Sequence, residues 1–186
     1  MSRLRVSLFS LLALSLLLCT CGPEEGDSIG KGLDGVPITY YGEIDGTKLY
    51  CHPSCPPKDQ IRVRLHSLDR LFDSHKGLTH PFAKQARKDW SISWSNYPAY
   101  KSSKGNPYHG VTRTSLKVVW IYYPYVCPNV NEIQGLCGGV FDWEVGLIFM
   151  DYLFPDQKEG LDKAYRIEHN LLYSEDALEK RATPQK

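Results

Sequence analysis

The sequence predicts an α+β fold: a small mixed or antiparallel sheet with an N-terminal hairpin, packed on about three helices, one of them central and buried. Three observations support this prediction. Short stretches rich in β-branched and aromatic residues recur, a helical apolar pattern follows the first of them, and one long apolar stretch comes later. About 150 residues remain after residue 35, enough for one domain with its own core. We therefore predict a single domain over residues 36–182, with a tail at 183–186.

The hairpin is predicted at residues 36–51. Residues 36–44 are strand-like, Asp45-Gly46 is a strong two-residue turn, and residues 47–51 form the returning strand. Residues 51–57 then make a stiff corner that contains two cysteines and three prolines.

The first helix is predicted to begin at Pro57, because proline is tolerated in a first turn. Its apolar residues fall on one helical face: Ile61, Leu65, Leu68 and Phe72. Gly77 is a plausible stop, and His66 and His75 are expected at the surface.

Two more strands are predicted beyond this helix. Residues 90–95 alternate large apolar residues with serines, and residues 116–123 are rich in β-branched and aromatic residues. The polar stretch 101–110 is predicted to be a loop, because it contains two glycines and a proline. Residues 127–137 are predicted to form another loop.

The stretch 140–154, VFDWEVGLIFMDYLF, predicts a buried helix that ends at Pro155, because it is apolar on nearly every face. It carries Glu144, and an unpaired buried carboxylate costs roughly several kcal/mol. Glu144 could be a structural carboxylate satisfied by Arg, Lys, Tyr or His, a group facing water, or the floor of a binding or catalytic cleft. Asp142 and Asp151 are expected to face solvent or cap loops.

The N-terminus has the pattern of an export signal. Arg3 and Arg5 precede an apolar core at residues 8–18, which is shorter than a typical transmembrane helix and fits a secretory signal. An uncleaved anchor helix is the alternative. No later stretch reaches transmembrane length.

The end of this core resembles the lipobox of bacterial lipoproteins, in which a cysteine is lipidated and becomes the new N-terminus. Cys21 is the favoured site and Cys19 the alternative, because cleavage before Cys21 leaves an even number of cysteines. The resemblance implies a signal peptide at 1–20 and a flexible tether at 21–35. Since Gly22 and not Asp follows the cysteine, it also implies the outer membrane or a periplasm-facing location.

Four cysteines would then remain for pairing. An exported protein favours disulfides, and the simplest pairing joins Cys51 to Cys55 and Cys127 to Cys137. Four cysteines allow three connectivities, so the sequence leaves the pairing open. A four-cysteine zinc site is the other interpretation, although a spacing of three residues between two cysteines is unusual for zinc.

The order of a helix, strands, a buried helix and a later helix over about 161–173 resembles that of the small zincin metallopeptidases. In that family, His-Glu-x-x-His on the central helix supplies two zinc ligands and a general base. Residues 143–147 read WEVGL, so Glu144 matches the glutamate, and Gly146 matches the glycine common before the second histidine. The resemblance implies a zincin-like scaffold with Glu144 at its cleft.

Both helix histidines of the motif are missing. Trp143 and Leu147 stand in their places, and neither side chain can ligate zinc. We therefore predict no metal and no cofactor, and we transfer no zinc ligand. His169 falls where a third ligand could lie, so Glu144 and His169 are the candidate pair for metal-free general acid/base catalysis.

Composition narrows the function further. The formal net charge of +1 argues against a nucleic-acid surface. The chain has no nucleophile elbow, phosphate loop or EF-hand motif. His80 and His109, with His169, could form an incidental metal site. We predict a catalytically inactive binding or scaffold module whose partners are the membrane, through its lipid, and an envelope protein or peptide. An atypical hydrolase using Glu144 and His169 is the alternative.

Overall fold

A computed structural model describes residues 22–74, 82–98, 100–127, 129 and 131–153. It confirms the α+β class, with a six-stranded mixed sheet. The strands are β1 (Ser28–Lys31), β2 (Pro37–Ile44), β3 (Thr47–His52), β4 (Ser91–Ser95), β5 (Gly110–Arg113) and β6 (Val118–Tyr122). The main helices are α1 (Lys58–Asp73), α2 (Phe82–Ala86) and α4 (Gly135–Leu153), and α3 (Tyr123–Val126) is a single turn.

The strand order in the sheet is β1-β2-β3-β4-β6-β5. Strands β3, β4 and β6 are parallel, and the other pairs are antiparallel. The register aligns His52, Ser95 and Tyr122 at the carboxyl ends of the three parallel strands. The Tyr122 amide donates to the His109 carbonyl oxygen, so residues just before β5 lie at the same edge. We call this row of strand ends the carboxyl edge.

The core lies between the sheet and the helices. The inward side chains of the parallel strands alternate as a half-buried sheet requires: Leu49, Cys51, Ile92, Trp94, Val119 and Ile121. The predicted apolar face of α1 is buried against them, as is α4. Phe141 of α4 stacks on Trp94, with ring centroids 5.5 Å apart. The long apolar helix is therefore central and buried, as predicted.

The predicted hairpin is confirmed, and Asp45 and Gly46 both adopt positive φ angles, as this turn needs. The two edge strands differ from the predictions. Strand β1 lies within the predicted flexible tether 21–35 and pairs with β2. It escaped detection because all its side chains are exposed, so no apolar alternation marks it. Strand β5 begins at Gly110, at the end of the predicted loop 101–110, and has only four residues.

Helix α4 begins at Gly135, five residues before the predicted start at 140. The first turn of α4 lies in a segment that was predicted to be a loop because it contains a cysteine and glycines. The signal peptide with Cys19 and Cys21, the helix at 161–173 with His169, and the tail lie outside the described residues. Of the helices in the described ranges, none combines the length and the apolar character that a membrane crossing requires.

Candidate functional site

Glu144 lies in the middle of α4 and contacts the edge strand β5. Its side chain is buried, and the Thr112 hydroxyl lies 2.7 Å from Glu144 Oε2 and 2.7 Å from the backbone oxygen of Glu144. A β-carbon on Gly110 would lie 2.5 Å from Glu144 Cγ. Glycine is therefore required at 110 for the acid to reach the strand.

The environment of Glu144 raises the pKa of its carboxyl. Burial raises the pKa of its carboxyl, and the hydrogen bonds between the carboxyl and the side chain and backbone of Thr112 lower it without cancelling the rise. No described cation contributes to this pKa. The expected partners were Arg, Lys, Tyr or His. The structure supplies a threonine instead, 32 residues away in the chain.

A cleft of about 630 Å³ opens beside Glu144 at the carboxyl edge. The segment just before β5 forms one wall and the first turns of α4 form the other. The main lining side chains are Pro107, Tyr108, His109, Leu136, Val140 and Trp143, and Gly135 and Gly139 leave room between them. Tyr108 and Leu136 are half exposed at its rim. A cavity of this size with mostly apolar walls suits a small ligand or a side chain of a partner.

The sequence did not identify most of this cleft. Glu144 and Trp143 were singled out, and His109 was considered only for an incidental metal site with His80 and His169. Thr112 was not considered. His109 lines the cleft with Glu144, whereas His80 and His169 lie outside the described residues. The Glu144–His169 pair therefore stays a prediction.

Asp142 was expected to face solvent or cap a loop, and this was wrong. It is fully buried, and the Arg64 guanidinium donates to both of its oxygens, at 2.7 Å each. A β-carbon on Gly138 would lie 2.6 Å from Arg64 Nη2, so this glycine makes room for the guanidinium. The sequence could not reveal the pair, because Arg64 lies on α1, 78 residues away.

A Ser–His–Asp chain lies elsewhere on the carboxyl edge. Ser95 Oγ is 2.9 Å from His52 Nδ1, and His52 Nε2 is 2.9 Å from Asp34 Oδ1. The residue types are those of a hydrolase triad. However, Ser95 has no exposed surface and His52 is 1% exposed, so a substrate carbonyl cannot reach the hydroxyl. These hydrogen bonds instead connect the turn after β1 to the ends of β3 and β4.

A cluster of partly exposed charged side chains surrounds the buried Arg87 at the hairpin turn. Asp45, His66 and Asp69 converge closely enough to suggest a metal site. The buried guanidinium already bonds Asp45 at 3.0 Å and Asp69 at 2.8 Å, and Lys84 reaches Asp45 at 2.9 Å. Burial tends to raise the pKa of Asp45, but these hydrogen bonds and one from His66 outweigh it and lower the pKa well below its usual value. Protein cations therefore occupy the place of a metal.

The local disulfide pairing is confirmed: Cys51 bonds Cys55, and Cys127 bonds Cys137. No thiolate of these four is left for the alternative zinc site. The second bridge fixes the first turn of α4, which is one wall of the cleft.

Comparison with known proteins found no matching family model, no matching curated protein and no matching solved structure.

Proposed function

We propose that this chain is a lipid-anchored lipoprotein of the bacterial envelope whose zincin-like domain binds a partner without catalysing a reaction. The lipobox-like sequence before Cys21 supports the anchor. The absence of both motif histidines from residues 143–147 supports the loss of zinc chemistry.

The contact between Glu144 and Thr112 carries the non-catalytic half of this proposal. A general base must be ionised and within reach of the proton that it removes. Glu144 is instead buried, and its Oε2 lies in hydrogen-bond contact with the Thr112 hydroxyl of β5. The alternative, a hydrolase using Glu144 and His169, needs this contact to open.

The cleft is the proposed binding site, and its occupant is an apolar side chain of an envelope protein or peptide. Tyr108 and Leu136 place exposed apolar surface at the rim, and Trp143 lines the interior. Aromatic anchors in pockets of this kind supply much of the affinity of protein interfaces.

Photo-crosslinking in the living cell tests this proposal. A photoreactive residue at Tyr108 should capture a partner, whereas one at Leu116, a more exposed site in the turn between β5 and β6, should not. Gly139→Leu should abolish the capture by filling the cleft, because a β-carbon at 139 meets no atom within 4 Å and the variant should fold. Capture that survives Gly139→Leu, or equal capture from 116, would contradict the proposal.

The metal content gives a second test. Protein purified from the periplasm should contain far less than one zinc ion per chain. A stoichiometric, tightly held zinc ion would overturn the loss of zinc chemistry, whatever the cleft binds.

A further inference from the structure

Thr112 makes more short oxygen contacts with Glu144 than it has protons to donate. Its hydroxyl carries one hydrogen, yet it lies 2.7 Å from both the backbone oxygen and Oε2 of Glu144. Both distances are typical of O–H···O hydrogen bonds. One hydrogen shared between two acceptor oxygens would make two bent, weakened bonds, which fit poorly with two contacts of 2.7 Å.

One arrangement of protons satisfies both contacts. The backbone oxygen of Glu144 can only accept, so the Thr112 hydroxyl donates to it. The contact between Oε2 and Thr112 Oγ1 then needs a hydrogen from the carboxyl itself. A carboxyl can supply this hydrogen only in its protonated form.

We infer that Glu144 holds its proton in the folded protein at neutral pH, and that the cleft is a neutral site that takes an uncharged apolar or aromatic side chain. The ligand half of this inference rests on the proposed binding function. The proton half stands on the geometry of Glu144 and Thr112 alone.

The charged groups around α4 do not oppose this assignment. On α4 itself, Asp142 is engaged by Arg64 from α1. On β5, the Arg113 guanidinium lies over the Tyr100 ring, 5.1 Å from its centroid. His109 lines the cleft but does not contribute to the pKa of Glu144. Burial raises the pKa of Glu144, which agrees with the proposed proton, and the hydrogen bonds with Thr112 lower this pKa by less.

The protonation state of Glu144 determines which ligands the cleft prefers. An ionised Glu144 would attract lysine or arginine side chains into a partly desolvated site. A neutral acid offers only hydrogen bonds, so the apolar walls formed by Tyr108, Leu136 and Trp143 decide the preference.

Infrared spectroscopy tests the proton half without any ligand. The difference spectrum between wild type and Glu144→Gln at neutral pH should contain the C=O band of a protonated carboxylic acid. A difference spectrum that contains only carboxylate bands would overturn the inference. If the variant does not fold, a pH titration of the wild-type protein replaces it. One carboxylic-acid band should then persist at neutral pH after the exposed acids have ionised, and its absence would be equally decisive.

Binding of two matched probes tests the ligand half. N-acetyl-phenylalaninamide and N-acetyl-lysinamide differ in side-chain charge, and NMR shifts of the Gly110 and Gly139 amides report binding in the cleft. We expect at least about a tenfold preference for the phenylalanine probe, unchanged in Glu144→Gln. Equal or tighter binding of the lysine probe, lost in that variant, would overturn the inference. If the infrared band is present and neither probe binds, the proposed binding function fails and the proton assignment stands.

Discussion

Asp142 and Glu144 lie two residues apart on one helix, are both buried, and are satisfied in opposite ways. Two residues correspond to about 200° around a helix, so the two side chains leave α4 on different sides. Asp142 meets the Arg64 guanidinium of α1, whereas Glu144 meets the Thr112 hydroxyl of β5. A buried acid keeps its charge where a cation reaches it, and keeps its proton where only a hydroxyl does. Both acids are buried, and they differ in the partner that each one meets.

Replacing the arginine that pairs with Asp142 should have the largest effect on stability. Arg64→Met leaves a fully buried carboxylate without its bidentate partner, and the free energy of unfolding should fall by about 3–5 kcal/mol. Urea unfolding measures this loss. The control is Arg62→Met on the same helix, whose exposed pair with Asp59 should contribute less than about 1 kcal/mol. Equal losses in the two variants would show that Asp142 does not depend on Arg64.

Crowding Glu144 should have the next largest effect. Gly110→Ala places a β-carbon 2.5 Å from Glu144 Cγ and forces the acid away from Thr112, at a cost of about 1–3 kcal/mol. Gly139→Ala is the matched control, because its β-carbon meets no atom within 4 Å, and alanine should stabilise a helix interior by up to about 1 kcal/mol. Thermal unfolding of the two variants should therefore shift in opposite directions. A Gly110→Ala variant as stable as the wild type would mean that Glu144 does not lie against β5.

Breaking the Ser–His–Asp chain should have a smaller effect. Ser95→Ala removes a buried hydroxyl bonded to His52, and the free energy of unfolding should fall by about 1–2 kcal/mol. Ser103→Ala, at an exposed site, should change it by less than about 0.5 kcal/mol. A fluorophosphonate probe should not label Ser95, because the folded protein buries it. Labelling of Ser95 in the folded wild type would reveal a hydrolase site in place of a structural chain.

Sequence periodicity predicted the elements that bury one regular face. The hairpin, α1, β4, β6 and α4 all carry a period near 2 or 3.6, or a long apolar run, and each is found at its predicted place, although α4 begins five residues early. Strands β1 and β5 have four residues each and little or no buried alternation, so their pairing comes from neighbouring strands and leaves no local pattern.

Of the candidate site, the sequence pointed clearly only to Glu144. Glu144 stood out as an acid in an apolar run, but Thr112 and Arg64 come from distant elements. In the sequence, Gly110 and Gly138 are the residues that reflect these contacts, because each makes room for a side chain. A glycine shows that space is needed without showing what fills it.

The pH dependence of stability tests most directly whether Glu144 is a neutral buried acid. The free energy of unfolding of wild type and Glu144→Gln is measured in urea from about pH 4 to about pH 9. Because the folded-state pKa is raised, the proton stabilises the fold fully below the ordinary pKa of 4.5, and this contribution is lost as the pH rises toward the folded pKa. The stability of Glu144→Gln relative to wild type should therefore rise by up to about 1.4 kcal/mol per pH unit above that value. The proton inferred from the two Thr112 contacts predicts that this rise continues past neutral pH. A difference in the free energy of unfolding that does not change with pH would contradict a neutral Glu144. So would a wild type that becomes more stable relative to the variant as the pH rises.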